Sequence, residues 1–308
     1  MQENKGRRNP FLLAPGLVLV LLVPFGILRF VPTENLGGGV ALIVAAVSVL
    51  LVFGIAIALS FTLRGAGWLS GCLGHHMDGS LALCLSASCM MMVQSVGIRS
   101  FLTENFYDYR SYSLYGMTFE SATDSVGAFL LMFFVFGVLS AIAEGIFFRG
   151  FVLHEYRYGG VLGSIGISSL LYAMTGMSLA DLPVYFINGV LLSAVVFLTG
   201  NLFYSVLSHL LYVLFVLSLE KYIFFIALET RILIFLVLVM AGLLSAVCFC
   251  GSAEKLLRQK GESEARAPIR LKKGKFFVVF KDILSAPMLW ADAACFLLIC
   301  VLHILLDA

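Results

Sequence analysis

The sequence predicts an all-α, polytopic bundle of membrane-spanning helices. Two observations carry that prediction. Of 308 residues, 61% are hydrophobic and 12% charged, with a mean hydropathy of +1.02. A soluble domain carries about 25% charged residues, and this chain has too few to coat a water-facing surface. The apolar residues also fall into long uncharged runs of the length that crosses a bilayer, about 20 residues in helical form. Together these exclude a soluble enzyme, a nucleic-acid reader and a disordered scaffold. The partner they require is the lipid bilayer, and no nucleic acid is expected.

In chain order the uncharged runs are Phe11–Leu28, Gly38–Leu63, Ser80–Ile98, Ser125–Ala143 and Gly159–Ala180. Leu182–Leu219 follows, 38 residues without a formal charge and too long for one crossing. Thr199-Gly200-Asn201 in its middle is a turn signal, so it reads as two helices in a tight hairpin. Ile232–Ala253 is the next uncharged run, and a last apolar run, about Leu284–Leu306, carries one charge. The expected number is nine spans, or eight if the last, which carries Pro287 and Asp292, does not cross. A basic start followed by an apolar run resembles a signal peptide, but the run is long and lacks a small-x-small site, so a retained anchor is expected.

Orientation follows from the short loops, because cytoplasmic loops are enriched in Lys and Arg. With the N-terminus inside, the cytoplasmic side holds Lys5, Arg7, Arg8, Arg64, Arg157 and a basic loop over 251–282. The outer side holds Arg99, Arg110, Lys221 and Arg231, and the C-terminus lies outside. Residues 99–124 are rich in aromatics, among them Tyr107, Tyr112, Tyr115 and Phe119, which suits the outer membrane interface. The whole chain reads as one integral membrane domain, 1–308. The seven cysteines have no zinc-finger spacing and read as small apolar side chains.

Ionisable residues at membrane depth are costly, about 2.5–3.5 kcal/mol each at a helix centre on insertion scales, so each is a functional candidate. They are Glu144, Arg149, His209, Asp292 and His303. Glu144 follows a long uncharged run and suits a general acid or base. Arg149 lies about 140° away from it around an α-helix, which puts the two on different faces and makes Arg149 an interfacial anchor. His209 sits mid-span and reads as a packing residue or a site residue. Asp292 marks the inner boundary of a short last span. His75-His76-x-Asp78 is a weak metal-site pattern, since adjacent histidines point different ways.

Three segments in order carry a resemblance. Ala143-Glu144-Gly145-Ile146-Phe147-Phe148-Arg149-Gly150 resembles the Glu-Glu-x-x-x-Arg-Gly signature of the CPBP family, which contains CAAX prenyl proteases and bacteriocin-processing or self-immunity proteins. Ser168-Ser169-Leu170-Leu171-Tyr172 through Gly176 is similar to that family's Phe-x-x-x-His motif, and Ser208-His209-Leu210 to its His-x-x-x-Asn motif. The resemblance covers about 125–219. It implies a multi-pass intramembrane endopeptidase acting on a peptide or membrane-protein substrate, with Glu144 and His209 catalytic and Arg149 in support. It also implies a divalent metal such as zinc, for which Glu144 and His209 supply two protein ligands where a catalytic zinc uses three. The sequence departs from the pattern at three positions: Gly145, Gly176 and Val213 stand where the family has Glu, His and Asn. Two functions follow: a divergent protease, or an inactive relative that binds or shields a membrane partner. A transporter is disfavoured by the scarcity of polar groups at mid-span. Short loops point to a bacterial plasma membrane.

Overall fold

The structure is a computed structural model that describes residues 10–31, 38–70, 79–102, 111–120, 126–157, 160–220, 231–263 and 284–307. Ten helices and one β-hairpin occur among them. They are α1 (Pro10–Arg29), α2 (Gly38–Arg64), the short α3 (Gly67–Ser70) and α4 (Ser80–Leu102). The hairpin pairs β1 (Ser111–Leu114) with β2 (Met117–Glu120). Then come α5 (Val126–Glu155), α6 (Gly160–Met174), α7 (Leu182–Thr199) and α8 (Leu202–Phe215, continued by a wider turn over Val216–Glu220). The last two are α9 (Arg231–Ser263) and α10 (Pro287–Asp307).

All α-helices apart from α3 are the nine apolar segments expected from the sequence. Seven are long and apolar enough to cross a membrane, while the apolar parts of α1 (Leu13–Arg29) and α6 (Gly160–Met174) are shorter. Gly200 adopts a left-handed conformation, φ 67°, and ends α7, and the Asn201 side chain caps α8 by accepting from the Phe203 N–H. The expected hairpin of helices is therefore present at Thr199-Gly200-Asn201.

Three expected boundaries are corrected. The fourth span does not stop at Ala143 but runs to Glu155, so Glu144 lies well inside a 30-residue helix. Glu155 at its end pairs with Arg64 of α2 at 2.7 Å, which joins two helix ends assigned to the cytoplasmic side. The fifth span stops at Met174 rather than Ala180, because Gly176 and Met177 (φ 53°) lie in a turn. Residues 251–263 are helical, not loop; the charged extension of α9 carries an i,i+4 pair between Glu254 and Arg258 at 2.6 Å. The rest of the basic loop lies outside the described residues.

The aromatic segment is also corrected. Its described part does not lie flat at an interface but folds into the hairpin and enters the bundle. Tyr115 and Phe119 are buried, Tyr115 stacked on Phe25 of α1 at 4.3 Å and Phe119 edge-on to Phe136 of α5 at 5.2 Å. The cause is the turn. Tyr115 (φ 50°) and Gly116 (φ 84°) both take positive φ, the two-residue form whose twist matches paired strands. That turn points the tyrosine ring inward against α1 and α2, where Phe53 lies at 5.7 Å.

Around this point sits an aromatic core in which Phe53, Phe147 and Phe148 meet edge to face. Small residues let α6 and α7 approach closely. A methyl group placed on Gly189 would meet the Cα of Ser169 at 2.9 Å, too close for any side chain there.

Candidate functional site

α5 is not a uniform α-helix. Phe133–Leu139 and Gly145–Val152 wind as π-helix, separated by one α-helical turn, Ser140–Glu144. The i→i+5 pattern is wider than the 3.6 residues of an α-turn, and such stretches occur often at functional sites. Here the wider winding brings residues five apart onto one side. Arg149 Nη1 lies 3.6 Å from Glu144 Oε2, and both side chains are buried, at 1% and 3% exposure. The expectation that these two residues face apart, with Arg149 an interfacial anchor, is overturned: it assumed regular α geometry. The guanidinium also lies over the Tyr172 ring, 4.0 Å from its centre.

Glu144 has two further neighbours. Tyr115 Oη donates to Oε1 at 2.6 Å. His209 Nδ1, from α8, stands 3.5 Å from Oε2. Oε2 itself is buried and makes no hydrogen bond among the described residues. The two carboxylate oxygens are thus inequivalent: one is held by a phenol, the other faces a guanidinium and an imidazole.

His209 is positioned by small polar contacts between α8 and α4. Ser208 touches Cys84 Sγ of α4 at 3.2 Å and Ser88 of α4 donates to the Ser208 carbonyl at 3.2 Å, while within α8 Ser208 also donates to the Tyr204 carbonyl at 2.8 Å. On the other side, Ser168 of α6 donates to the Phe148 carbonyl at 2.9 Å, a bond that meets the π stretch of α5.

Glu144 and His209 line one pocket, bounded by α4, β1, α5, α6, α7 and α8. Its polar walls include Arg99, Ser140, Tyr172, Tyr185, Asn188 and Tyr212. Arg99 pairs with Asp181 at 3.3 Å, and Gln94 donates to Asn188 Oδ1 at 2.7 Å, which leaves the Asn188 amide N–H groups to donate elsewhere. The sequence singled out Glu144, His209 and Arg149, and the structure brings the three together. It missed Tyr115, Tyr185 and the Asn188–Gln94 pair. Tyr115 lies on a different segment, and no helical spacing connects it to Glu144.

The three departures from the CPBP pattern have distinct surroundings. Residue 145 faces α8: a methyl group on Gly145 would meet Val206 Cγ2 at 3.1 Å. Beside Gly176 the Tyr185 ring occupies the space, 2.9 Å from where a Cβ would stand. Val213 lines the pocket one helical turn beyond His209 and presents no polar atom there.

Residues 126–215 match the family model described as Rce1-like: Type II CAAX prenyl endopeptidase Rce1-like. The chain carries an Rce1-like domain. That agrees with the CPBP resemblance of the sequence over this stretch, and the seven long apolar helices agree with a multi-pass membrane protein. The Rce1-like domain spans α5, α6, α7 and most of α8, so it contains Glu144, Arg149 and His209 but neither Tyr115 nor α1 to α4. No curated protein and no solved structure matches the chain.

A divalent metal does not fit this donor set. Glu144 and His209 are two donors, the other polar groups of the pocket are tyrosines, serines, Asn188 and Arg99, and no cluster of three His, Cys, Asp or Glu occurs among the described residues. The carboxylate that would bind the metal already faces the Arg149 guanidinium. The remaining candidates lie elsewhere. Asp292 is fully buried inside α10, which overturns its reading as a boundary marker, and it does not line the pocket. His303 meets the Phe30 ring at 6.4 Å, by the ends of α10 and α1. His75, His76 and Asp78 fall outside the described residues.

Proposed function

We propose that the protein is an intramembrane endopeptidase of the Rce1-like type that cleaves a membrane-associated peptide by glutamate-assisted attack of water. The observation that supports this reading is the convergence of Glu144 Oε2 and His209 Nδ1, 3.5 Å apart, in the wall of one pocket. The two groups are close enough for one water on the pocket side to bond to both. In the proposed reaction Glu144 Oε2 takes a proton from this water as its oxygen bonds to the scissile carbonyl carbon. The carbonyl oxygen gains negative charge and accepts from donors on the pocket wall, of which the Asn188 amide and Tyr185 hydroxyl are candidates. Collapse breaks the C–N bond, and Glu144 returns its proton to the leaving amine. Arg149 stays beside Glu144 throughout and offsets the carboxylate charge. No step passes through a metal.

A second reading rests on Tyr185 filling the space at Gly176 and on Val213 as an apolar wall. In it the pocket binds a membrane partner without cutting it. One assay separates the readings. The purified full-length protein in lipid nanodiscs is mixed with a quenched fluorescent peptide bearing a lipid anchor, beside Glu144→Ala. Cleavage that falls about 10²-fold or more in the variant supports hydrolysis. Equal background from both proteins rejects it.

A further inference from the structure

Tyr115 reaches Glu144 from outside the Rce1-like domain. The reach depends on an unfavourable backbone: a non-glycine residue at φ 50°, in a turn form that favours Asn and Gly. The surroundings hold it there. A methyl group on the adjacent Gly116 would lie 3.0 Å from Met177 Cβ and 3.1 Å from Arg29 Cβ, so the turn is wedged between α1 and the segment that joins α6 to α7. The ring lies nearly parallel to Phe25, at 12°, and is 1% exposed. A tyrosine that is packed this tightly and bonded at 2.6 Å has little freedom to leave its acceptor. The other positions from which the domain pattern would place a polar group near Glu144 are occupied differently: residue 145 points at α8, and Tyr185 fills the space at residue 176.

We propose that Tyr115 is a positioning residue for Glu144, supplied by the hairpin in place of the missing motif groups. Its phenol fixes Oε1 and sets the carboxylate plane, so that Oε2 alone is presented to His209 and the pocket. Tyr115 does not itself line the pocket, so it acts through Glu144 rather than on a substrate. The catalytic part of this inference rests on the hydrolase reading above; the carboxylate-orienting part does not.

The test uses the full-length protein in nanodiscs with Tyr115→Phe, which keeps the stacked ring and removes only the hydroxyl. In the peptide assay, kcat should fall about 10- to 100-fold with KM unchanged, the penalty of a misplaced reacting group. In a Glu144→Gln background the same change should cost nothing further. Phe25→Leu, which keeps the phenol but loosens its ring, should give an intermediate loss. The second measurement needs no turnover: the infrared band of the Glu144 carboxyl group, assigned by its disappearance in Glu144→Gln, should shift in Tyr115→Phe. An unshifted band, or wild-type kcat in Tyr115→Phe, overturns the proposal. A shifted band with no cleavage by the wild-type protein rejects the hydrolase reading and leaves Tyr115 as the residue that orients the carboxylate.

Discussion

An arginine removed from water needs a negative charge within reach, and Arg149 has one at 3.6 Å. Removal of one partner from such a buried pair strands the other, at a cost of about 3–5 kcal/mol. Arg149→Leu should therefore lower the melting temperature of the detergent-purified protein sharply. Glu144→Leu added to it should recover part of the loss, since no lone charge then remains. If Arg149→Leu melted like the wild type, the pair would hold nothing. His209→Ala is expected to behave differently. Its contact to Glu144 is longer than a normal hydrogen bond, and α8 is held to α4 by the Ser208–Cys84 and Ser88–Ser208 contacts rather than by the imidazole. The variant should fold with little change in melting and lose cleavage by about 10²-fold or more. At this scale the sequence disclosed the identity of the charged residues, because charge under lipid is rare. It did not disclose their geometry: the Glu144–Arg149 contact depends on a local winding that no spacing rule for α-helices contains.

Among the elements, α6 and α7 show how little space separates the helices of the domain. Gly189→Ala would press a methyl group into the Ser169 backbone, and overpacking of this kind costs about 1–3 kcal/mol. A melting temperature below wild type, with Gly166→Ala as the control where nothing lies within 4 Å, checks it. The helices were legible in the sequence because apolar length alone defines them, and the α7–α8 turn because Gly and Asn mark it. The ends of α5, α6 and α9 were not. Glu144 and Arg149 end an uncharged run without ending the helix, since each is the other's buried partner. The charged residues past Ala253 likewise continue α9 as a helix of polar character. The hairpin was hidden for another reason: an aromatic cluster looks the same whether it rests on a membrane surface or fills a core.

For the whole molecule, ion pairs tie together helix ends that the basic-loop pattern assigns to the same side. Arg64 meets Glu155 at one end, and Arg99 meets Asp181 at the other. The pocket wall extends from Glu144 to Arg99 and Leu217, which belong to the second set of ends. On the orientation expected from the sequence, that is the outer side. A cysteine introduced at Val216, in a background without the native cysteines, should react with a membrane-impermeant maleimide added outside intact cells. One at Arg157 should react only after the cells are opened. The reverse pattern would invert the orientation and turn the pocket toward the cytoplasm.

The loosened winding of α5 has a genetic consequence. A wide turn of this kind differs from a regular one by a single surplus residue. Loss of one codon between Ile146 and Phe148 would let the helix tighten to regular α winding and would leave the acid and the arginine four residues apart, a spacing that still puts them on one face. A one-residue deletion should therefore be better tolerated here than in the regular turn Ser140–Glu144, where it would rotate all that follows by about 100°.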